Sequence, residues 1–229
     1  MRGLAVFLGL TALACSGGKD AEGDDSGAVT EPVVDGGTGV CSTWTGFVAG
    51  RTWRYATDSA AATQAEWRDT VTTLDADGAV SLHQELLQTT SGTTYTSVTD
   101  TQYRCEPDGL WLLGTQSAWV STVDGVETEG WLDGTWTAEG PVQPRGLAVG
   151  TRWEWAYDYS YTASYGDSAD SGRVETEVEA SAPISVPAGE YAAVQLFQTT
   201  ESGASLRSWV ADGVGLVANE SVELVAVYE

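Results

Sequence analysis

From Cys41 to the C-terminus, apolar and polar residues alternate in short runs separated by turn signals, a pattern that predicts strands. The fullest run is Trp153 to Tyr161. Trp153, Trp155, Tyr157, Tyr159 and Tyr161 share one face at period two, and Arg152, Glu154, Ala156, Asp158 and Ser160 share the other. Arg173 to Glu179 alternates in the same way, with its charges on one face. Asp-Gly pairs, strong hairpin signals, occur at Asp77-Gly78, Asp108-Gly109, Asp124-Gly125, Asp133-Gly134 and Asp212-Gly213. They predict hairpins such as Trp67–Leu74 with Val80–Gln88, and Ala118–Val123 with Val126–Leu132. Ala60 to Glu66 reads either as a short helix or as a connection. No long stretch repeats at the helical period, so residues 41–229 are expected to form one mainly-β domain.

Two stretches of this domain resemble each other. Gly50-Arg51-Thr52-Trp53-Arg54-Tyr55-Ala56-Thr57-Asp58 aligns with Gly150-Thr151-Arg152-Trp153-Glu154-Trp155-Ala156-Tyr157-Asp158, keeping Gly, Trp, an aromatic, Ala and Asp in place. Asp108-Gly109-Leu110-Trp111-Leu112-Leu113 resembles Asp212-Gly213-Val214-Gly215-Leu216-Val217. The match implies two similar halves, about 41–114 and 115–229, either from a duplication or from one sheet with similar curvature on both sides.

The segment before the domain has a different character. Met1-Arg2 is followed by an apolar run from Leu4 to Leu13, which is too short for a bilayer span and suits a signal-peptide core. Ala12-Leu13-Ala14 is a small-x-small cleavage site, and Cys15 follows. This arrangement resembles the bacterial lipoprotein signal, with Ala12 standing where Leu is usual. The resemblance implies that residues 1–14 are removed and that Cys15 is acylated, which anchors the chain to a membrane through more than one acyl tail. The other reading is an ordinary cleaved signal that leaves a free thiol. Ser16 occupies the position where Asp would signal inner-membrane retention, so the resemblance favours the outer membrane, on its periplasmic or surface face. Residues 15–40 are rich in Gly, Asp and Glu and have little to bury, so they are expected to form a disordered acidic tether.

Charge narrows the function. The chain has 33 Asp+Glu against 10 Lys+Arg, a formal net charge of -23, and such a surface repels phosphate backbones, which excludes nucleic acid as a partner. Ten Trp and nine Tyr against three Phe favour curved sheets and wet apolar grooves. Once Cys15 is given to lipid, Cys41 and Cys105 remain, and an exported compartment permits the disulfide that we expect between them. His83 is the single histidine, which rules out multi-histidine metal sites, and its strand places it on the solvent side. Thr73-x-Asp75-x-Asp77-Gly78 approaches a calcium loop but has Thr at its first position and Gln84 where the bidentate Glu belongs; a hairpin explains it. There is no Gly-x-Ser-x-Gly, phosphate-loop or dinucleotide fingerprint, so neither a cofactor nor an enzymatic activity is expected.

Near the C-terminus, Val186-Pro187-Ala188-Gly189-Glu190-Tyr191 precedes Trp209-Val210-Ala211-Asp212-Gly213-Val214-Gly215-Leu216-Val217. Together with the Gly50 to Tyr55 opening, these motifs resemble a group of uncharacterised bacterial envelope proteins associated with the fold of the lipoprotein carriers LolA and LolB. The resemblance implies a curved antiparallel sheet, an open half-barrel. Trp153, Trp155, Tyr157 and Tyr159, with Trp53 and Tyr55, are then either packed inside that sheet or partly line a groove. The expectation is a non-catalytic lipoprotein whose curved sheet binds an apolar or extended ligand. The alternatives are a structural or protein-interaction lipoprotein and, less favoured, a hydrolase of envelope polymers using two carboxylates.

Overall fold

A computed structural model describes residues 44–57 and 61–229. The expected signal peptide and tether, Cys15 and Cys41 lie outside the described residues. Among the described residues there are strands and no helix. The strands are β1 (Thr52–Ala56), β2 (Gln64–Leu74), β3 (Ala79–Thr90), β4 (Thr93–Glu106), β5 (Gly109–Val123), β6 (Val126–Glu139), β7 (Gln143–Pro144), β8 (Arg152–Ala163), β9 (Ser168–Val186), β10 (Gly189–Thr200), β11 (Ser205–Ala211), β12 (Gly215–Asn219) and β13 (Glu223–Tyr228).

All pairings are antiparallel, and nearly every strand pairs with its neighbour in sequence. β6 pairs with β8 across the connection that holds β7, and β7 adds a two-residue edge to the start of β5. The first and last strands then meet: β1 pairs with β13 from Thr52↔Tyr228 to Ala56↔Glu223, with a bulge between Arg54 and Tyr55. The sheet is therefore a closed twelve-stranded barrel and not the open half-barrel expected above. Closure removes both free edges, whose unpaired N–H and C=O groups would otherwise face water. Bulges at the β2–β3, β4–β5, β9–β10 and β11–β12 seams add the local bend that closure needs.

One open reading is narrowed and one expectation is corrected. Ala60 to Glu66 forms no described helix, since Gln64–Glu66 already belongs to β2. Asp133-Gly134 is no turn and lies inside β6, because this glycine serves packing. The other four Asp-Gly pairs do sit at turns. Asp124 and Gly125 both have positive φ, 49° and 80°, which a tight two-residue hairpin requires.

The two resembling segments share their corner geometry. Gly50 N–H donates to Val71 O at 2.8 Å, and Gly150 N–H donates to Val178 O at 2.9 Å. Val71 N–H returns to Arg51 O, and Val178 N–H returns to Thr151 O. Both glycines hold the left-handed conformation, at φ 87° and 86°, which explains their place at the start of each aromatic strand.

One end of the barrel is filled. Trp44, Trp53, Tyr55, Trp67, Val71, Val80, Leu110, Val222 and Leu224 form its main core cluster. The segment before β1 crosses this end. Arg51 Nη1 donates to Gly46 O and to Gly213 O, both at 2.9 Å, and a side chain at Gly46 would run into the Val214 backbone. The hairpins β3–β4, β5–β6, β8–β9 and β10–β11 stand at the opposite end, where Tyr165 is 62% exposed.

Candidate ligand-binding lumen

The face that each strand turns inward follows from its alternation. β1 sends in Trp53 and Tyr55, β2 sends in Trp67, Asp69 and Val71, and β8 sends in Trp155, Tyr157, Tyr159 and Tyr161. The outward positions carry charge. Arg54 Nε donates to Glu66 at 2.8 Å, Arg152 pairs with Glu177 at 2.8 Å, and Arg207 pairs with Glu179 at 3.0 Å. His83 also points outward, 2.8 Å from Asp100 Oδ1 and away from the interior.

A barrel of eight strands is just wide enough for side chains to fill. Twelve strands leave more room, and the interior holds a cavity of about 1120 Å³. Glycine keeps it open. Gly130 faces Trp119 across the β5–β6 pair, and Gly172 faces Tyr157 across β8–β9. A Cβ at either would run into that ring, and one at Gly134 would run into Tyr159. The rings thus lie down over the glycines of neighbouring strands and line the wall without crossing the lumen. They form a continuous ladder: Trp155–Tyr157 at 5.5 Å, Tyr157–Trp136 at 5.0 Å, Trp136–Tyr159 at 4.2 Å and Tyr159–Tyr161 at 5.2 Å between centroids. Such offset rings attract one another beyond their buried area.

The structure brings Trp53, Tyr55, Trp155, Tyr157 and Tyr159 to this one lumen, from both halves of the chain. Trp153 is placed differently. It packs against Val178, Leu196 and Val210, and its indole N–H donates to Val142 O at 3.3 Å.

Several lumen residues, Trp119, Trp136 and Tyr103 among them, were not singled out from the sequence, and one of these is a buried acid. Asp69 sits on the inward face of β2, 7% exposed, between Trp53 of β1 and Gln84 of β3. Gln84 Nε2 donates to its Oδ1 at 2.8 Å. Burial pushes the Asp69 carboxyl up to about 7; the Gln84 amide and the neighbouring Trp67 indole pull it back only in part. That indole N–H has no partner within hydrogen-bond geometry, and neither do the Trp53 indole and the Ser208 hydroxyl, which also line the lumen. Burial likewise raises Tyr55 and Tyr103 above the usual phenol range, with the nearby Asp69 charge adding to it. The readable signal is a carboxylate on an otherwise apolar face, Trp67-x-Asp69-x-Val71.

Cys105 is 4% exposed and disulfide-bonded. Its partner lies outside the described residues. Among those described, no three metal-ligating side chains gather into one site. Compared with known proteins, the chain matches no family model, no curated protein and no solved structure.

Proposed function

We propose that this chain is an exported, lipid-anchored envelope protein whose barrel takes up an apolar or extended ligand in its aromatic lumen. The observation that carries this reading is the lumen itself, at about 1120 Å³ and walled by Trp and Tyr. Known small-molecule sites are mostly apolar concavities of roughly 300–1,000 Å³ with a few placed polar groups. Charged outward positions on β1, β2, β8, β9 and β11 support a wall that faces water, since a membrane-spanning barrel carries an apolar band there. The anchor at Cys15, the acidic tether, the outer-membrane address and membership of the envelope group with its three short motifs belong to the same proposal. So does a non-catalytic role.

The test is native mass spectrometry of the full chain carrying Cys15→Ser, purified from an exporting bacterial host. A co-purifying lipid or other apolar adduct, lost in folded Trp155→Ala, is the expected result. A bare mass together with no uptake of a fluorescent lipid would remove the ligand-binding reading.

A second reading, a protein-interaction lipoprotein, draws on the outer wall. Leu87, Val98, Val120 and Trp131 are 37–49% exposed, and β4, β5 and β6 align Val98, Ala118 and Trp131 across their pairs. Substituting Val98 and Trp131 with polar residues would then abolish a partner's binding and leave any lumen adduct in place.

A further inference from the structure

Carboxylates outnumber cations in the lining of the lumen. Its carboxylates are Asp69 at the filled end, with Asp170 and Glu201 among the residues lining the rest of it. Its single cationic side chain, Arg173, is already held by Glu154 at 2.8 Å and lies 3.9 Å from Glu201. An acid head group, such as a fatty-acid carboxylate, would find negative charge and, among the described residues, only a cation that is already paired.

Aromatic rings gather at the end of the lumen that holds Asp69. Trp53 is its direct partner across β1–β2. Phe47 joins Trp53 to Tyr103, with centroids 6.2 Å and 6.0 Å away. Tyr55 and Tyr103 pack in the same cluster as Trp53 and line the lumen together with Asp69. Ring faces carry negative potential and attract cations, most strongly where water is excluded, and aromatic boxes receive organic ammonium groups. A buried carboxylate with one amide donor has acceptor capacity left, and an isolated buried charge is costly until a counter-charge arrives.

We propose that the lumen selects organic cations, amphiphiles with an amine or quaternary ammonium head group that sits against Asp69 among the rings of Phe47, Trp53, Tyr55 and Tyr103. This deepens the lumen reading above and rests on it. Among the described residues no other charged side chain acts on Asp69. β1 and β4 present the phenols Tyr55 and Tyr103, β3 presents the uncharged Gln84, and Tyr191 of β10 acts only through Tyr55. Cation binding needs the ionised carboxylate. Affinity for the cation therefore rises with pH up to about 7 and is level above it.

The experiment uses the full chain with Cys15→Ser and three probes of equal chain length: decyltrimethylammonium, 1-decanol and decanoate. Binding is read by tryptophan fluorescence and calorimetry below micelle formation. At about pH 8 the cation should bind at least tenfold more tightly than the alcohol, and decanoate should bind most weakly. The preference should shrink below about pH 6. Asp69→Asn should lose the tenfold preference and its pH dependence and keep its affinity for decanol. That variant removes one of 33 acidic residues, so attraction to the overall charge is almost unchanged. A preference that survives Asp69→Asn, or decanoate binding as well as the cation, would overturn the proposal and leave the lumen reading standing. Binding of no probe by a folded protein would overturn both.

Discussion

The ring of Tyr159 lies over Gly134, so closely that a methyl group on that glycine would run into it. The two residues come from adjacent strands, β8 and β6, where Gly134 is the direct partner of Tyr161. Gly134→Ala should force the Tyr159 ring off the wall and into the lumen. Overpacking of this kind costs about 1–3 kcal/mol. Thermal unfolding should show the loss of stability, and a probe that fills the wild-type lumen should bind more weakly to the folded variant.

Asp69 links folding to pH. An exposed aspartate loses its proton near 4, whereas folded Asp69 holds its proton up to about 7. Between these values the folded state binds a proton that the unfolded chain has released. The protonated group's contribution is thus fully present below about pH 4, falls as pH rises, and is gone above about pH 7. It amounts to at most roughly 4 kcal/mol. Asp69→Asn should be more stable than wild type at pH 8 and gain little at pH 4. Urea midpoints across that range measure the difference.

Trp153 and Trp155 stand on one strand face but should respond differently. Trp153 packs against Val178, Leu196 and Val210, so Trp153→Ala should cost about 3 kcal/mol or more of stability. Trp155 lines the lumen, so Trp155→Ala should weaken ligand retention with a smaller change in thermal midpoint. Unfolding and adduct mass, measured on the same preparations, separate the two effects.

The disulfide of Cys105 is proposed to join Cys41, a link over roughly 64 residues of sequence. Non-reducing peptide mapping should find the Cys41 and Cys105 peptides joined. In the chain-entropy model such a loop contributes about 4 kcal/mol, so reduction should lower the thermal midpoint clearly. A map that joins Cys105 to Cys15 would refute both the pairing and the lipid anchor.

Acylation is checked on the N-terminus itself. The mature wild-type chain should partition into detergent and carry its added mass on the Cys15 peptide. Cys15→Ser should move it to the aqueous phase.

What the sequence by itself determined is local. Period-two alternation from Trp153 to Tyr161 specified a strand and which of its residues share a face, because successive side chains point to opposite sides. Four of five Asp-Gly pairs marked turns, and at three of them the glycine, Gly78, Gly125 or Gly213, holds the left-handed backbone that few other residues adopt. The fifth, Asp133-Gly134, was misread because a glycine also admits a neighbouring ring, and that ring belongs to another strand. Asp69 stood in view as an acid on an apolar face, yet alternation does not say whether that face meets packed core or open space. Tertiary structure decided this through β1 meeting β13, residues 52–56 pairing with 223–228. That pairing has no local signature, because any apolar strand edge can pair with any other and only the accumulated twist and bulges of the intervening strands bring these two together. Closure at twelve strands turned the predicted aromatic face into the wall of a lumen and set Trp53 and Tyr55 of one half in the same space as Trp155 and Tyr159 of the other.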